Sequence, residues 1–146
     1  MRIFYFFHFL NVLGQCDYND EQFGMDDVDY SKRSDTISAI MDSGGYPNNL
    51  NCTWVIGEAD KGITIRLDYI NIEHAGSCNY DALEVISDNF TEKLCGFEGD
   101  LNAELLNEEI HLEGEIFIYF VSDGSQGRQV GYSEAGFTLF YSIDDP

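Results

Sequence analysis

From residue 36 onward the chain divides into short runs in which apolar and polar residues alternate, separated by Gly, Asn and Asp. Alternation with period two marks a strand with one buried face, and the separating residues are those that tight turns require. On this basis residues 36–41, 53–57, 63–70, 83–87, 109–113, 116–122 and 137–142 read as strands. In the third run Ile63, Ile65, Leu67 and Tyr69 fall on one face, with Thr64, Arg66 and Asp68 on the other, which predicts a half-buried strand. Residues 116–121 are apolar at every position and predict a central strand covered on both faces. Phe137, Leu139 and Tyr141 again share a face. No stretch of ten or more residues sustains a helical period; the nearest, residues 102–110, reads as a helical turn or a loop. Many short strands with frequent turn signals and no internal repeat predict an all-β, two-sheet antiparallel β-sandwich.

The ends of the chain do not share this pattern. Residues 1–15 hold Arg2, an apolar run over 3–10 and smaller residues near Gly14. This is the layout of a secretory signal peptide, and the run is too short to cross a bilayer. Residues 16–35 are rich in Asp and have no sustained apolar period, so they read as an acidic arm or loop. A helix-loop-helix calcium site fails there on spacing, because no D-x-D-x-D-G run with glutamate at the twelfth position is present. The folded domain is expected over 36–143, with a short tail at 144–146.

Charge narrows the choice of partner. Seven basic residues stand against 27 acidic ones, a formal net charge of −20. Such a surface repels nucleic acid phosphates and anionic headgroups and favours basic partners or divalent cations. With no other run of membrane-spanning length, the expectation is a secreted, extracellular protein that neither binds nucleic acid nor inserts into a membrane.

Cys16, Cys52, Cys78 and Cys95 suit an oxidising compartment and allow three pairings, among which spacing does not choose. The simplest local bridge closes the hairpin-sized unit between Cys78 and Cys95, leaving Cys16 for Cys52. Asn51-Cys52-Thr53 and Asn89-Phe90-Thr91 are glycosylation sequons, and Asn89, in a polar turn, is the better acceptor.

Several short motifs now stand in order: Tyr46-Pro47, Cys52-x-Trp54, the alternating strand that ends at Glu73, Cys78-x-Tyr80-Asp81 and Cys95-Gly96. Phe120 to Asp123 (FVSD) and Gly136 to Tyr141 (GFTLFY) complete the series. In this order they resemble the CUB domain over about three quarters of the chain. The resemblance implies a compact, jelly-roll type sandwich with two disulfides, Cys16–Cys52 and Cys78–Cys95. Two departures stand out: Cys16 lies far from Cys52 with the acidic arm between them, and residues 97–115 are unusually acidic.

Many CUB domains bind calcium, and the resemblance places Glu73, Asp81 and Asp123 at the carboxylate positions. It adds the backbone carbonyl of Ser125 and the side chain of Gln126, where asparagine is more usual, and sets Tyr46 beside the site. Calcium is a hard cation that takes about six to eight oxygen ligands, so this donor set is chemically apt. The implied function is non-catalytic: the calcium-organised loops, through Tyr46, Glu73, Asp81 and Asp123, receive a lysine or arginine of an extracellular partner. A spermadhesin-like carbohydrate-binding role, with glycans as ligands, or a structural extracellular role without calcium is the alternative.

Enzymatic readings find little support. His8, His74 and His111 are the only histidines, and neither HExxH nor G-x-S-x-G is present. His74 and His111 read as surface or edge residues. With cysteines expected in disulfides, a zinc site is also disfavoured.

Overall fold

A computed structural model describes residues 11–16, 33–41, 46, 48–58, 60–124 and 135–144. The described strands are β1 (Asn11–Cys16), β2 (Ser34–Met41), β3 (Asn51–Gly57), β4 (Gly62–Ile72) and β5 (Ala82–Ser87). They continue with β6 (Phe90–Leu94), β7 (Gly96–Phe97), β8 (Glu109–Glu113), β9 (Ile116–Val121) and β10 (Ala135–Ile143). One sheet has the order β1-β3-β9-β5-β6; the other has β2-β10-β4-β7, with β8 also paired to β4. All of these strand pairs are antiparallel. The all-β sandwich read from the alternation is thus the observed architecture.

The core lies between the sheets. Trp54 of β3 and Phe120 of β9 each meet Phe137 of β10 edge to face, with ring centroids 5.6 and 5.3 Å apart. Such perpendicular contacts set the positive edge of one ring against the negative face of the next. Ile37, Ile56, Ile63, Ile72 and Leu83 are buried around them.

Two readings from the pattern need correction. The alternation in β4 does not run through to Tyr69: the register with β10 passes from Leu67↔Leu139 to Tyr69↔Thr138, leaving Asp68 as an extra residue. This bulge shifts the buried positions from Ile63, Ile65 and Leu67 to Ile70 and Ile72, and Tyr69 is only half buried. Strand β9 is central, yet it is covered on one face only. Ile116, Ile118 and Phe120 are buried, whereas Phe117 is 38 % exposed and stacks on Tyr119 across an open face, with centroids 6.4 Å apart. Hydrophobicity at every position did not separate the two faces, because large aromatic residues also serve at half-exposed strand positions. Residues 102–110 agree with the reading of a helical turn or loop: a 3₁₀ turn, Leu101–Ala103, capped by the Asp100 side chain, gives way to β8 at Glu109.

At the N-terminal end, residues 1–10 and 17–32 lie outside the described residues, so most of the expected leader and acidic arm does too. Strand β1 begins inside the expected leader, and β2 starts at Ser34, inside the expected arm. Removal of residues 1–15 would leave β1 with Cys16 alone.

The described disulfide is Cys78–Cys95, which brackets the β5–β6 hairpin as expected. Cys52 is also disulfide-bonded, and its Cα partner in the β1–β3 register is Cys16.

Candidate metal centre

Three connections meet at one end of the sandwich. The first follows β4 and carries Glu73; it runs to Asp81 just before β5. The Cys78–Cys95 bridge ties it to the residue between β6 and β7, and Cys78 sits at φ 53°, the left-handed turn that this tight path demands. Asn102 adds a second tie, its side-chain amide donating to the carbonyl of Ala75 at 2.9 Å.

The second connection is the segment before β3, and the third is the turn after β9. They are laced together: Leu50 N–H donates to Ser122 Oγ at 2.9 Å, and Asn49 N–H donates to the Asp123 carbonyl at 2.8 Å. These bonds satisfy backbone groups that no ladder reaches, and they fix where Asp123 stands.

The result is that Glu73, Asp81 and Asp123 each offer a carboxylate oxygen, all within 4.8 Å of one another. Asp81 is 1 % exposed and Glu73 9 %, while Asp123 is half buried. Asp81 sits at the centre of the bonding: Oδ1 accepts from Asp123 N–H at 2.9 Å, and Oδ2 accepts from the Tyr46 hydroxyl. The same hydroxyl accepts from Glu73 N–H at 3.0 Å. Burial, reinforced by the Asp81 carboxylate as hydrogen-bond acceptor, pushes the Tyr46 phenol far above its ordinary value. It therefore stays a donor at any physiological pH. Its ring is held edge-on against Phe120 at 5.0 Å, which couples the site to the core.

The donor set fits calcium. With Ca–O distances of about 2.3–2.6 Å, ligand oxygens on opposite sides of the ion stand roughly 4.6–5.2 Å apart. All three protein donors are hard oxygens, which disfavours zinc or copper. Ser125 and Gln126, the further ligands implied by resemblance, lie outside the described residues.

The structure thus brings together Tyr46, Glu73, Asp81 and Asp123. Of the histidines, His8 lies outside the described residues, His74 Nδ1 lies 2.5 Å from Asp100 Oδ2, and His111, exposed on β8, has Nδ1 2.8 Å from Thr64 Oγ1. Both sequon asparagines are exposed, Asn51 at the start of β3 and Asn89 in the β5–β6 turn. Sequence reasoning missed the supports Asn49, Ser122 and Asn102. Each acts on a segment distant in sequence, and no local pattern marks it.

Comparison with known proteins identifies the family and the fold. The family model described as "CUB domain" matches residues 26–140. Cubilin of Sus scrofa is 34% identical over 98 residues, covering 65% of this chain and 3% of that protein. Blastula protease 10 of Paracentrotus lividus is 33% identical over 106 residues, covering 66% of this chain and 17% of that protein. The chain therefore spans only a small part of each relative's length. Among solved structures, the CUB1-EGF-CUB2 domain of human MASP-1/3 superposes with a TM-score of 0.61 at 22% identity. It covers 79% of this chain and 43% of that one, and shows the shared fold.

Proposed function

Since this chain belongs to the CUB domain family, we propose that it is an extracellular recognition module that binds calcium through Glu73, Asp81 and Asp123. The observation that carries this reading is the convergence of three carboxylates, two from the β4–β5 connection and one from the turn after β9, within 4.8 Å, two of them buried. Buried carboxylates repel one another and lose hydration, so a divalent cation is the natural counterpart. The Ser125 carbonyl and the Gln126 side chain complete the shell in this proposal. The ion fixes the carboxylate geometry while outward lone pairs accept charge-assisted hydrogen bonds from a partner's lysine or arginine. A net charge of −20 accelerates that encounter and makes it salt-sensitive.

The same reading includes secretion, with a leader removed from the N-terminus, a Cys16–Cys52 bridge and glycosylation at Asn89 ahead of Asn51. It is supported by the Cys78–Cys95 disulfide, by the Cys16↔Cys52 register and by the exposure of both asparagines. No helix among the described residues is long and apolar enough to cross a membrane. The role is one of binding, without catalysis.

Calorimetric calcium titration of the disulfide-intact chain tests the proposal, with Glu73→Gln and Asp123→Asn alongside. One saturable site, lost or strongly weakened in both variants, is expected. Absence of binding at several times about 10⁻³ M, the weak end for extracellular modules, would overturn it.

A further inference from the structure

A second candidate site lies along the edge of β4, between β8 and β7. Strand β4 is flanked by β8 only as far as Arg66 and by β7 only from Asn71. Between them, a single bridge from Leu67 to Leu106 closes part of the opening. A groove of about 360 Å³ occupies the rest. Tyr69, Ile70, Phe97 and Leu106 supply apolar wall, and the only charged lining residues are Asp68 and Glu98.

The bulge explains how Tyr69 comes to line this groove beside Asp68, because the extra residue takes Tyr69 out of the buried phase of β4. Arg66 steadies Asp68, with Nε 2.5 Å from Oδ1. A second contact, Arg66 Nη2 to Asp68 Oδ2 at 3.3 Å, completes a two-point ion pair, and Arg66 also lies over the Phe140 ring and 3.8 Å from Glu109 Oε2. Glu98, in the turn after β7, is exposed. The flanking segment 94–108 adds Asp100, Glu104 and Glu108 and contains no lysine or arginine.

We propose that this groove binds an extended peptide segment of a partner protein through a lysine or arginine beside an apolar residue, independently of calcium. The aliphatic stem of the basic side chain lies against Tyr69, Phe97 and Leu106, and its charged head reaches Glu98. Charge complementarity selects this occupant: with Asp68 matched by Arg66, Glu98 and the acidic 94–108 segment leave the rim net negative. An apolar wall beside such a rim attracts a chain that is both greasy and cationic, and repels acidic or phosphorylated ones. The volume suits one or two side chains.

The test uses the full chain in excess EDTA and the probe acetyl-Leu-Lys-Leu-Lys-amide, with binding followed by NMR. Saturable shifts centred on Tyr69, Phe97 and Leu106 are expected. Glu98→Arg should weaken binding about tenfold by like-charge repulsion, whereas Glu92→Arg, which alters net charge equally from an exposed site on β6, should change it less than about twofold. Asp123→Asn should leave it unchanged, which separates this groove from the calcium site. A probe with norleucine in place of lysine needs no change to the protein and should not bind. Equal weakening by Glu98→Arg and Glu92→Arg, undiminished binding of the norleucine probe, shifts centred on Glu73 and Asp81, or no saturable binding would each overturn the proposal.

Discussion

The hydroxyl of Tyr46 donates to the buried carboxylate of Asp81, and through the same oxygen it accepts the backbone N–H of Glu73. One phenol thus holds two of the three clustered carboxylate residues in place. Tyr46→Phe keeps the ring against Phe120 but leaves a buried carboxylate oxygen and a buried N–H short of a partner. The expected loss is about 1–3 kcal/mol of folding stability, measured by urea denaturation in EDTA.

Asp81 and Asp123 should behave differently when neutralised. Both oxygens of Asp81 accept from protein donors, so in Asp81→Asn an amide N–H₂ must face one of them. Destabilisation of roughly 1–3 kcal/mol is expected with or without calcium. In Asp123→Asn the backbone bonds remain and stability in EDTA should be near that of the parent.

Calcium should raise the melting temperature of the parent chain. A ligand at about 100 times its Kd stabilises by roughly 2.7 kcal/mol if it binds only the folded state. Thermal scans with calcium and with EDTA should differ for the parent and coincide for Asp123→Asn. A calcium shift that persists in Asp123→Asn would mean that the ion binds elsewhere.

Glu58 predicts a feature of the acid limb. Its carboxyl lies 2.9 Å from Lys61 Nζ and 3.2 Å from Arg33 Nη1. The hydrogen bond from Lys61, then that from Arg33, holds it below the usual carboxylate range. A carboxyl whose folded value is lowered contributes stability above its unfolded value and loses it as pH falls through the folded one. The melting-temperature gap between the parent and Glu58→Gln should therefore be widest near neutrality and close as pH drops below the ordinary glutamate range.

Removing the Cys78–Cys95 bridge should cost about 3 kcal/mol, as for a loop of this length in the chain-entropy model. The double variant Cys78→Ala/Cys95→Ala should also weaken calcium binding, because the bridge anchors the connection that carries Glu73 and Asp81. Calorimetry at a temperature where the variant is folded separates the two effects.

Much of this was legible in local pattern. Strand β8 was placed at its observed bounds and β3 and β5 within two residues at each end, because one-sided burial writes itself as alternation, while β9 was bounded as closely by its continuous apolar run. The carboxylate positions came from ordered motifs around Cys78 and Asp123. The short strands β6 and β7 escaped notice: Phe90–Leu94 is largely exposed, so it lacks an apolar rhythm, and Gly96–Phe97 is too short to carry one.

By itself the sequence determined the alternation, hence a sandwich, together with the acidic surface and the cysteines able to staple it. Those properties rest on residue type and near neighbours. The resemblance already set Glu73, Asp81 and Asp123 together with Tyr46 beside them. Tertiary structure alone decided that the Tyr46 hydroxyl bridges Asp81 to Glu73, which backbone bonds hold Asp123, and that a bulge in β4 sets Asp68 and Tyr69 along a groove beside β7. Each depends on register between strands far apart in the chain, where a shift of one residue would turn every side chain to the opposite face.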